Sequence, residues 1–385
     1  MSLGLYLHLP FCRTHCSYCA FAISTDIALQ DDYTTALVRE IDARSVEDRQ
    51  SCLSGQAGAP VLHGQAGLPV LQSVYFGGGT PSRMSPENLS RIVSRLRERF
   101  SIAPDAEFSM ESNPEDISAE AIALWRSLGV NRLSIGVQSF HDAELVPLGR
   151  IHGAERAREA VSLAVASGVR TSLDLISGLP NQTAESFAQT LDEAVALGVG
   201  HISLYMLDLE EKSPLAVQVA RGRTIIPDDE VTAATYIEAI DRLGRAGFAQ
   251  YEISNFAKPG EECRHNLRYW SRGEYHGFGL GAHSFIGRKR FANTRDIRKY
   301  MNRAPEAMDF VEELSEQDVQ RETIFLRLRQ TSGILYTELE RLRGQEGTEW
   351  ISRGLRDGWL EQRGARVAFT PSGFLLSNEF ISQLF

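Results

Sequence analysis

The sequence lacks the long apolar segment that a membrane-spanning helix needs. No run approaches the roughly 18 apolar residues required to cross a bilayer, so we expect no stable membrane insertion. The apolar start, residues 3–11, has no basic leader and no small-residue cleavage site, and it contains His8 and Pro10. We therefore expect a cytoplasmic protein.

The chain also has fewer basic than acidic residues. The chain has 40 basic and 50 acidic residues, which leaves a net charge of −10, and this argues against broad electrostatic binding to nucleic acid. Its 385 residues are 43% hydrophobic and 23% charged, as in ordinary folded proteins. The length suits two or three domains, or an α/β barrel of about 250 residues with a smaller addition.

Cysteine is scarce, with five residues in the chain, but three of them lie within residues 12–19. Disulfides are rare in the reducing cytoplasm. The cluster therefore indicates metal or redox chemistry rather than structural cross-links.

The first two-thirds of the chain alternates short β-type runs with longer amphipathic stretches, which favours a parallel sheet. Strands are predicted at 3–9, 73–76, 106–110, 132–135, 171–175 and 201–205. Helices are predicted at 29–48, 86–100, 118–128, 154–167, 184–197 and 228–246. Six such units predict an α/β fold, a partial (β/α)6 barrel over residues 1–245.

Two further regions depart from this alternation. A nine-residue tandem repeat rich in Gly and Pro, GQAGAPVL followed by GQAGLPVL, predicts a neutral surface insertion at about 52–72. After residue 300, helices at 316–329, 336–342 and 349–357 and a hairpin at 359–361 and 366–369 predict a winged-helix-like accessory domain over 301–385. Residues 246–300 are expected to pack on the barrel.

Cys12, Cys16 and Cys19 follow the first predicted strand with the spacing Cys-x3-Cys-x2-Cys. Three thiolates suit a cubane iron–sulfur cluster in which one iron lacks a protein ligand and stays open for a cofactor. One alternative is a structural zinc site completed by His15, Cys52 or Cys263. The other is three unrelated thiols.

Polar residues recur at the predicted carboxyl ends of successive strands. Gly77–Pro81 ends the second strand, and Glu111, Gln138 and Asp174 follow at the ends of the next three. The intervals, 33, 27 and 36 residues from Gly78 onward, each match about one βα unit. Because α/β barrels build their sites at this end of the sheet, we expect these residues to share a site with the cysteine loop.

The cysteine spacing, with aromatic Tyr18 before the last cysteine, resembles the radical S-adenosylmethionine (SAM) superfamily. The resemblance implies a [4Fe–4S] cluster, whose open iron is chelated by SAM, and an electron donor for the cluster. It also implies that Tyr6 and the polar strand ends form the SAM pocket. The implied SAM-binding residues are Tyr6, Tyr18, Gly78, Gly79, Thr80, Glu111, Gln138, Arg150 and Asp174.

Each of these assignments has a physical basis and an alternative. Gly78 and Gly79 let backbone groups approach a ligand. Glu111 and Asp174 suit an ammonium, a sulfonium or ribose hydroxyls, and Arg150 suits a carboxylate. The alternatives are helix capping for the two acids and a surface ion pair for Arg150.

Longer motifs narrow the resemblance to one branch, which contains the oxygen-independent coproporphyrinogen III dehydrogenases and the heme chaperones. These motifs are HLPFCRTHCSYCAF, YFGGGTPS, SIGVQSF, LGRIHG and DLISGLP. The dehydrogenase pattern continues with a fourth cysteine two residues after the third. Phe21 stands there in this chain, which argues against coproporphyrinogen decarboxylation.

Residues 265–270, HNLRYW, resemble the HNxxYW motif of the heme-chaperone members of this branch. That resemblance implies a role of this segment in heme binding. His265 is a candidate axial ligand, and Tyr269 and Trp270 offer flat faces to a macrocycle. In a helix, His265 and Tyr269 would share a face. Cys263 is an alternative ligand, and a buried aromatic cluster is the alternative without heme.

The leading hypothesis is a heme chaperone that binds a [4Fe–4S] cluster, SAM and heme and passes heme to recipient hemoproteins. The alternative is oxidative decarboxylation of coproporphyrinogen III to protoporphyrinogen IX. A radical SAM enzyme with another substrate is the third possibility. No catalytic residue is assigned.

Overall fold

The computed structural model describes residues 3–53 and 68–385, without the side chains of residues 46–53. Its strands are β1 Leu3–Leu9, β2 Val70–Gly78, β3 Ser101–Ser112, β4 Arg132–Gln138, β5 Arg170–Ser177, β6 His201–Met206, β7 Ala249–Glu252, β8 Asn255–Ala257, β9 Tyr275–Gly279, β10 His283–Ile286, β11 Lys289–Asn293, β12 Met308–Glu313, β13 Ile334–Leu335, β14 Leu360–Arg363 and β15 Arg366–Phe369. Its helices are α1 Gln30–Leu53, α2 Pro86–Arg99, α3 Ala119–Ser127, α4 Asp142–Leu145, α5 Ala154–Ala166, α6 Ala184–Ala196, α7 Pro214–Ala220, α8 Asp229–Arg245, α9 Arg264–Trp270, α10 Ile297–Arg303, α11 Glu316–Leu328, α12 Tyr336–Asp357, α13 Pro371–Leu375 and α14 Ser377–Ser382.

The chain divides into two compact units. The first comprises residues 1–173, 208–224 and 273–313, and the second comprises 174–207, 225–272 and 314–385. The predicted middle segment, 246–300, is therefore shared between the units. The three predicted domains and their bounds stay a prediction.

The first unit contains the parallel strands that carry the cysteine loop. Its strands follow the order β12-β11-β10-β9-β1-β2-β3-β4. Neighbours from β9 to β4 pair in parallel, and β10, β11 and β12 pair antiparallel. The carboxyl ends of β1 to β4 therefore meet at one edge, and the predicted α/β fold with a parallel sheet is confirmed.

Local signals explain where the predicted helices begin and end. The Ser85 hydroxyl accepts a hydrogen bond from the Asn88 amide, and Pro86 follows in the first turn of α2, as N-capping requires. Gly129, Gly168 and Gly198 follow α3, α5 and α6 with positive φ.

Regular elements overlap both ends of the predicted insertion at about 52–72, whose bounds stay a prediction. Helix α1 continues to Leu53, and β2 begins at Val70, inside the second copy of the repeat. The apolar end of that copy joins the sheet next to β1 and β3, and buried Leu71 lies there. The rest of the repeat, residues 54–67, lies outside the described residues.

The second unit contains the predicted C-terminal module. Strands β13, β15 and β14 form a small antiparallel sheet, and α11 and α12 precede the β14–β15 hairpin. Helix α12 contains the two helices predicted at 336–342 and 349–357, and it is interrupted between them at the non-helical Gly344 with φ 55°. The core of this C-terminal module contains packed aromatic side chains, those of Trp350, Trp359, Phe369 and Phe380.

Within the described residues, no helix is both long enough and apolar enough to cross a membrane.

Candidate functional site

The three clustered cysteines lie on the loop between β1 and α1. All three are half-buried and none is in a disulfide. The loop closes at its base, because the Cys12 amide donates to the Ser24 carbonyl at 3.0 Å and the Ser24 amide donates to the Pro10 carbonyl at 2.7 Å. Both ends of the loop are thus held at the carboxyl end of β1.

Two further contacts hold the loop along its length. The Ser17 amide and hydroxyl donate to the carbonyls of Leu148 and Pro147 at 3.0 and 2.8 Å. The Nε2 atom of His8 lies 2.8 Å from the Ala22 carbonyl oxygen. Since that oxygen can only accept, Nε2 carries the hydrogen, and Nδ1 accepts from the Tyr6 hydroxyl at 3.2 Å. Burial lowers the pKa of His8 to about 4, so this imidazole is neutral at pH 7.

The thiols lie close enough to oppose one another's ionisation. Burial, with smaller contributions from the neighbouring Cys19 and Cys16, raises the pKa of Cys12 to about 11 against the opposing effects of Thr80 and Arg150. Burial also raises the pKa of Cys19, against a backbone hydrogen bond from Phe21. A metal that binds here must displace protons from these thiols.

The donor set of the cysteine loop fits an iron–sulfur cluster. In the described part of the chain, no three His, Cys, Asp or Glu side chains converge on one point as a single ion requires. A cubane takes its thiolates at separate corners, one for each iron, so three thiols spread along one loop suit it. His15 instead places Nε2 3.2 Å from the Cys19 carbonyl.

A chain of polar side chains joins two of the cysteines. Arg150 extends Nη1 to within 3.7 Å of Cys16 Sγ and Nη2 to within 2.7 Å of Asn113 Oδ1. Asn113 Nδ2 donates to Thr80 Oγ1 at 3.1 Å, and Thr80 Oγ1 lies 3.4 Å from Cys12 Sγ. The structure therefore brings Thr80 and Arg150 to the cysteine loop. Asn113 was not predicted, although it lies two residues after Glu111 at the same strand end.

Arg150 keeps its charge at this position. Burial alone would lower its pKa, but the acidic groups of Tyr18, Cys16 and Glu115 outweigh burial and raise the pKa. Its Nη2 also donates to the Gly136 carbonyl at 2.6 Å. Tyr18 is thus near enough to Arg150 to affect its ionisation.

Glu111 ends β3 beside the glycine turn that follows β2. Its Oε2 accepts from the Gly78 amide and its Oε1 accepts from the Tyr75 hydroxyl, each at 3.0 Å. Burial, together with the charge of Glu111, raises the pKa of Tyr6 far above its usual value. Glu111, Tyr6 and Gly78 are therefore close together.

The glycine turn packs closely against the residues around the cysteine loop, and the predicted role of Gly78 and Gly79 in SAM binding stays a prediction. A Cβ atom at Gly78, where φ is 106°, would lie 2.5 Å from the His8 ring, and a Cβ at Gly79 would lie 2.5 Å from the Pro10 carbonyl carbon. The Gly79 amide donates to the Leu9 carbonyl. The protein's own residues thus fill the space over these glycines, and the amides of Gly78 and Gly79 already have partners.

The remaining predicted SAM residues lie on different units. Gln138 is buried at the end of β4 with φ 68°, a strained conformation of the kind that clusters at functional sites. Asp174 is half-buried on β5, in the second unit. Its assignment to the site stays a prediction.

The HNxxYW segment forms helix α9 in the second unit, with Cys263 as the N-cap. His265 is fully buried, and its Nε2 lies 2.7 Å from the Tyr269 hydroxyl, so the predicted shared helix face is confirmed. Burial lowers the pKa of His265 to about 3. Cys263 is also buried, and its amide donates to the Tyr251 hydroxyl at 3.3 Å.

Comparison with known proteins first defines the class. A family model described as Radical SAM superfamily matches residues 6–194. Coproporphyrinogen III oxidase (HemN) from Escherichia coli has a similar structure, with a TM-score of 0.81 and 24% identity, covering 100% of this chain and 90% of that one. At this identity the likeness shows the fold alone.

Sequence relatives then define the family. Heme chaperone HemW from Mycobacterium tuberculosis is 37% identical over 99% of this chain and 94% of its own length. Heme chaperone HemW from Bacillus subtilis is 33% identical over 97% of each chain. The chain belongs to the HemW family of the radical SAM superfamily. The superfamily implies a [4Fe–4S] cluster and SAM as cofactors.

Proposed function

We propose that this protein is a heme chaperone that binds a [4Fe–4S] cluster, SAM and heme and delivers heme to recipient hemoproteins. The observation that carries the proposal is the match along nearly the whole chain to relatives named heme chaperone HemW. The proposal includes a one-electron donor for the cluster. It also includes a cytoplasmic location, where the thiols of the loop stay reduced.

Cys12, Cys16 and Cys19 would hold the cluster, which supplies one electron for SAM cleavage when it is bound. Replacing Cys16 with Ala removes one thiolate, so we expect anaerobic reconstitution to give fewer than four irons per chain. Cys52→Ala, outside the loop, is the matched control and should retain four. Four irons in Cys16→Ala would contradict the cluster assignment.

The SAM pocket in the first unit would include Tyr6, Tyr18, Gly78, Gly79, Thr80, Glu111, Gln138 and Arg150. Asp174, on β5, stays a predicted SAM residue. Support comes from the first unit, where Glu111, Thr80 and Arg150 lie beside the glycine turn and the cysteine loop. Carboxylate and guanidinium groups at one strand edge suit the amino acid part of SAM.

Heme would contact His265, Tyr269 and Trp270. The neutral imidazole of His265 is competent as an axial ligand, and ligation through Nε2 would replace its bond to the Tyr269 hydroxyl. The Cys263 thiol is the competing ligand, one residue before helix α9.

A hemin titration followed by absorption spectroscopy separates these ligands. If His265 is the ligand, His265→Ala should weaken hemin binding and change the spectrum, while Cys263→Ala should not. Tyr269→Phe removes the hydroxyl bonded to His265 and keeps the ring, so this variant should retain hemin binding through His265. Unchanged hemin binding in both His265→Ala and Cys263→Ala would contradict the heme site.

Transfer of bound heme to an apo-hemoprotein tests the chaperone function, and a parallel assay tests decarboxylation. Phe21 supplies no fourth thiolate and its ring is 67% exposed. We therefore expect no protoporphyrinogen IX from coproporphyrinogen III when cluster, SAM and reductant are present. Multiple turnovers in that assay would favour the dehydrogenase function.

A further inference from the structure

The hydrogen bonds that link Cys12 and Cys16 through polar side chains can have only one order of donors and acceptors. A guanidinium has donors and no acceptor, so Arg150 must donate to Asn113, and the atom of Asn113 that faces it is Oδ1. The amide nitrogen of Asn113 then faces Thr80 and donates to its oxygen at 3.1 Å. Thr80 is left with its own hydrogen to donate.

The hydrogen of Thr80 has Cys12 Sγ as its partner, 3.4 Å away. A thiolate accepts and cannot donate, so the hydroxyl must be the donor when Cys12 is a metal ligand. At its other end, Arg150 donates directly to Cys16 Sγ at 3.7 Å. The Arg150 guanidinium thus donates directly to Cys16 Sγ and, through Asn113, orients the Thr80 hydroxyl to donate to Cys12 Sγ.

Gly136 provides independent evidence that this chain is built into the strand ends. A Cβ atom at Gly136 would lie 3.0 Å from Gln138 Nε2, 3.1 Å from Asn113 Oδ1 and 3.4 Å from Arg150 Nη2. The Gly136 carbonyl also accepts from Arg150. The absence of a side chain here gives Asn113 and Arg150 the room to meet.

We propose that Arg150, Asn113 and Thr80 form a hydrogen-bond relay that directs donors to the sulfur atoms of Cys12 and Cys16 and so raises the reduction potential of the [4Fe–4S] cluster bound there. The inference rests on the cluster assignment in the proposed function. It assigns Thr80 a positioning role in addition to its proposed place in the SAM pocket, and it gives Asn113 a positioning role.

The expected direction follows from charge. When dithionite is oxidised and gives one electron to the cluster, the cluster and its sulfur ligands become more negative. Hydrogen bonds to the sulfur atoms stabilise that reduced state, and donors in a chain polarise one another. Loss of the relay should therefore make the cluster harder to reduce.

The first test measures the midpoint potential of the reconstituted full chain by an anaerobic redox titration followed by electron paramagnetic resonance. Thr80→Val should shift the potential to a more negative value with iron content unchanged. Thr80→Ser, which keeps the hydroxyl, should retain the wild-type potential. Thr34→Val is the matched control, since that buried hydroxyl has no hydrogen-bond partner among the described residues.

The second test uses the direction of the relay. In Asn113→Asp both carboxylate oxygens accept, so Thr80 would turn its hydrogen away from Cys12 and toward the aspartate. Adding Thr80→Val to this variant should then produce little further shift, whereas the same change in the wild type produces a clear one. Equal shifts in both backgrounds would overturn the relay.

The outcomes separate this inference from the function on which it rests. A wild-type chain that takes up no iron would overturn the cluster assignment and the relay together. A normal cluster whose potential is the same in wild type, Thr80→Val and Asn113→Asp would overturn the relay alone. If Thr80→Val does not fold, Thr80→Ala removes the same hydroxyl and provides the comparison with Thr80→Ser. Hemin binding is not part of the measurement.

Discussion

At the scale of single residues, Glu111 connects the glycine turn to the rest of the site. Both of its carboxylate oxygens accept hydrogen bonds within the first unit, from Tyr75 and Gly78. A carboxylate that is held in place on both oxygens is positioned in advance, so a cationic ligand need not order it on binding.

Glu111→Gln removes the charge and keeps the shape. We expect the affinity for SAM to fall about tenfold or more, since hydrogen bonds to charged groups contribute about 1.5–3 kcal/mol. The measurement is a SAM titration of the reconstituted protein, with iron content as a check on the cluster. Glu98→Gln, a surface acid paired with Arg95 on α2, is the control. Equal SAM affinity in the two variants would remove Glu111 from the pocket.

At the scale of elements, the long helices contain glycines in two different backbone states. Gly244 lies in α8 with ordinary helical φ, whereas Gly344 interrupts α12 with φ 55° and ψ −136°. A Cβ atom at either position would meet nothing within 4 Å. The two sites therefore differ in backbone conformation and not in packing.

Gly244→Ala should stabilise the protein by about 0.5–1 kcal/mol, because alanine loses less backbone freedom in a helix. Gly344→Ala should destabilise it by about 1–3 kcal/mol, because side chains disfavour this conformation. Urea unfolding of both variants provides the comparison. A stabilising Gly344→Ala would mean that α12 continues without the interruption.

The sequence predicted the regular elements far better than the irregular ones. Strands β1 to β6 were predicted because buried strands leave dense apolar runs, whereas the helix at α9 was only a condition under which His265 and Tyr269 would share a face. Strand β12, which is largely exposed, has no apolar face to reveal it. The link from Arg150 through Asn113 to Thr80 depends on distances across three strands, and no local pattern contains those distances.

At the scale of the whole molecule, each unit buries a neutral histidine. His8 lies in the first unit and His265 in the second, and burial lowers their pKa values to about 4 and about 3. The unfolded chain returns both to the ordinary value near 6.5. Above that pH neither group affects stability, since it is neutral in both states.

Below about pH 6.5 the unfolded chain takes up protons that the folded chain does not, so the folded protein should lose stability as pH falls toward about 4. Each histidine adds a slope of at most about 1.4 kcal/mol per pH unit. Urea unfolding at several pH values should give a shallower slope in His8→Gln and in His265→Gln. A wild-type slope in both variants would mean that these histidines are not buried as neutral groups.

The fit of Gly78 against His8, and of Gly79 against Pro10, has a consequence for inheritance. The two motifs lie about 70 residues apart in the sequence and pack directly against each other. A substitution in one motif is therefore expected to require a matching substitution in the other. A chimera that takes the first strand and cysteine loop from a distant relative should fold only if the glycine turn comes from the same parent. We therefore expect recombination crossovers within this family to be rare between these two motifs.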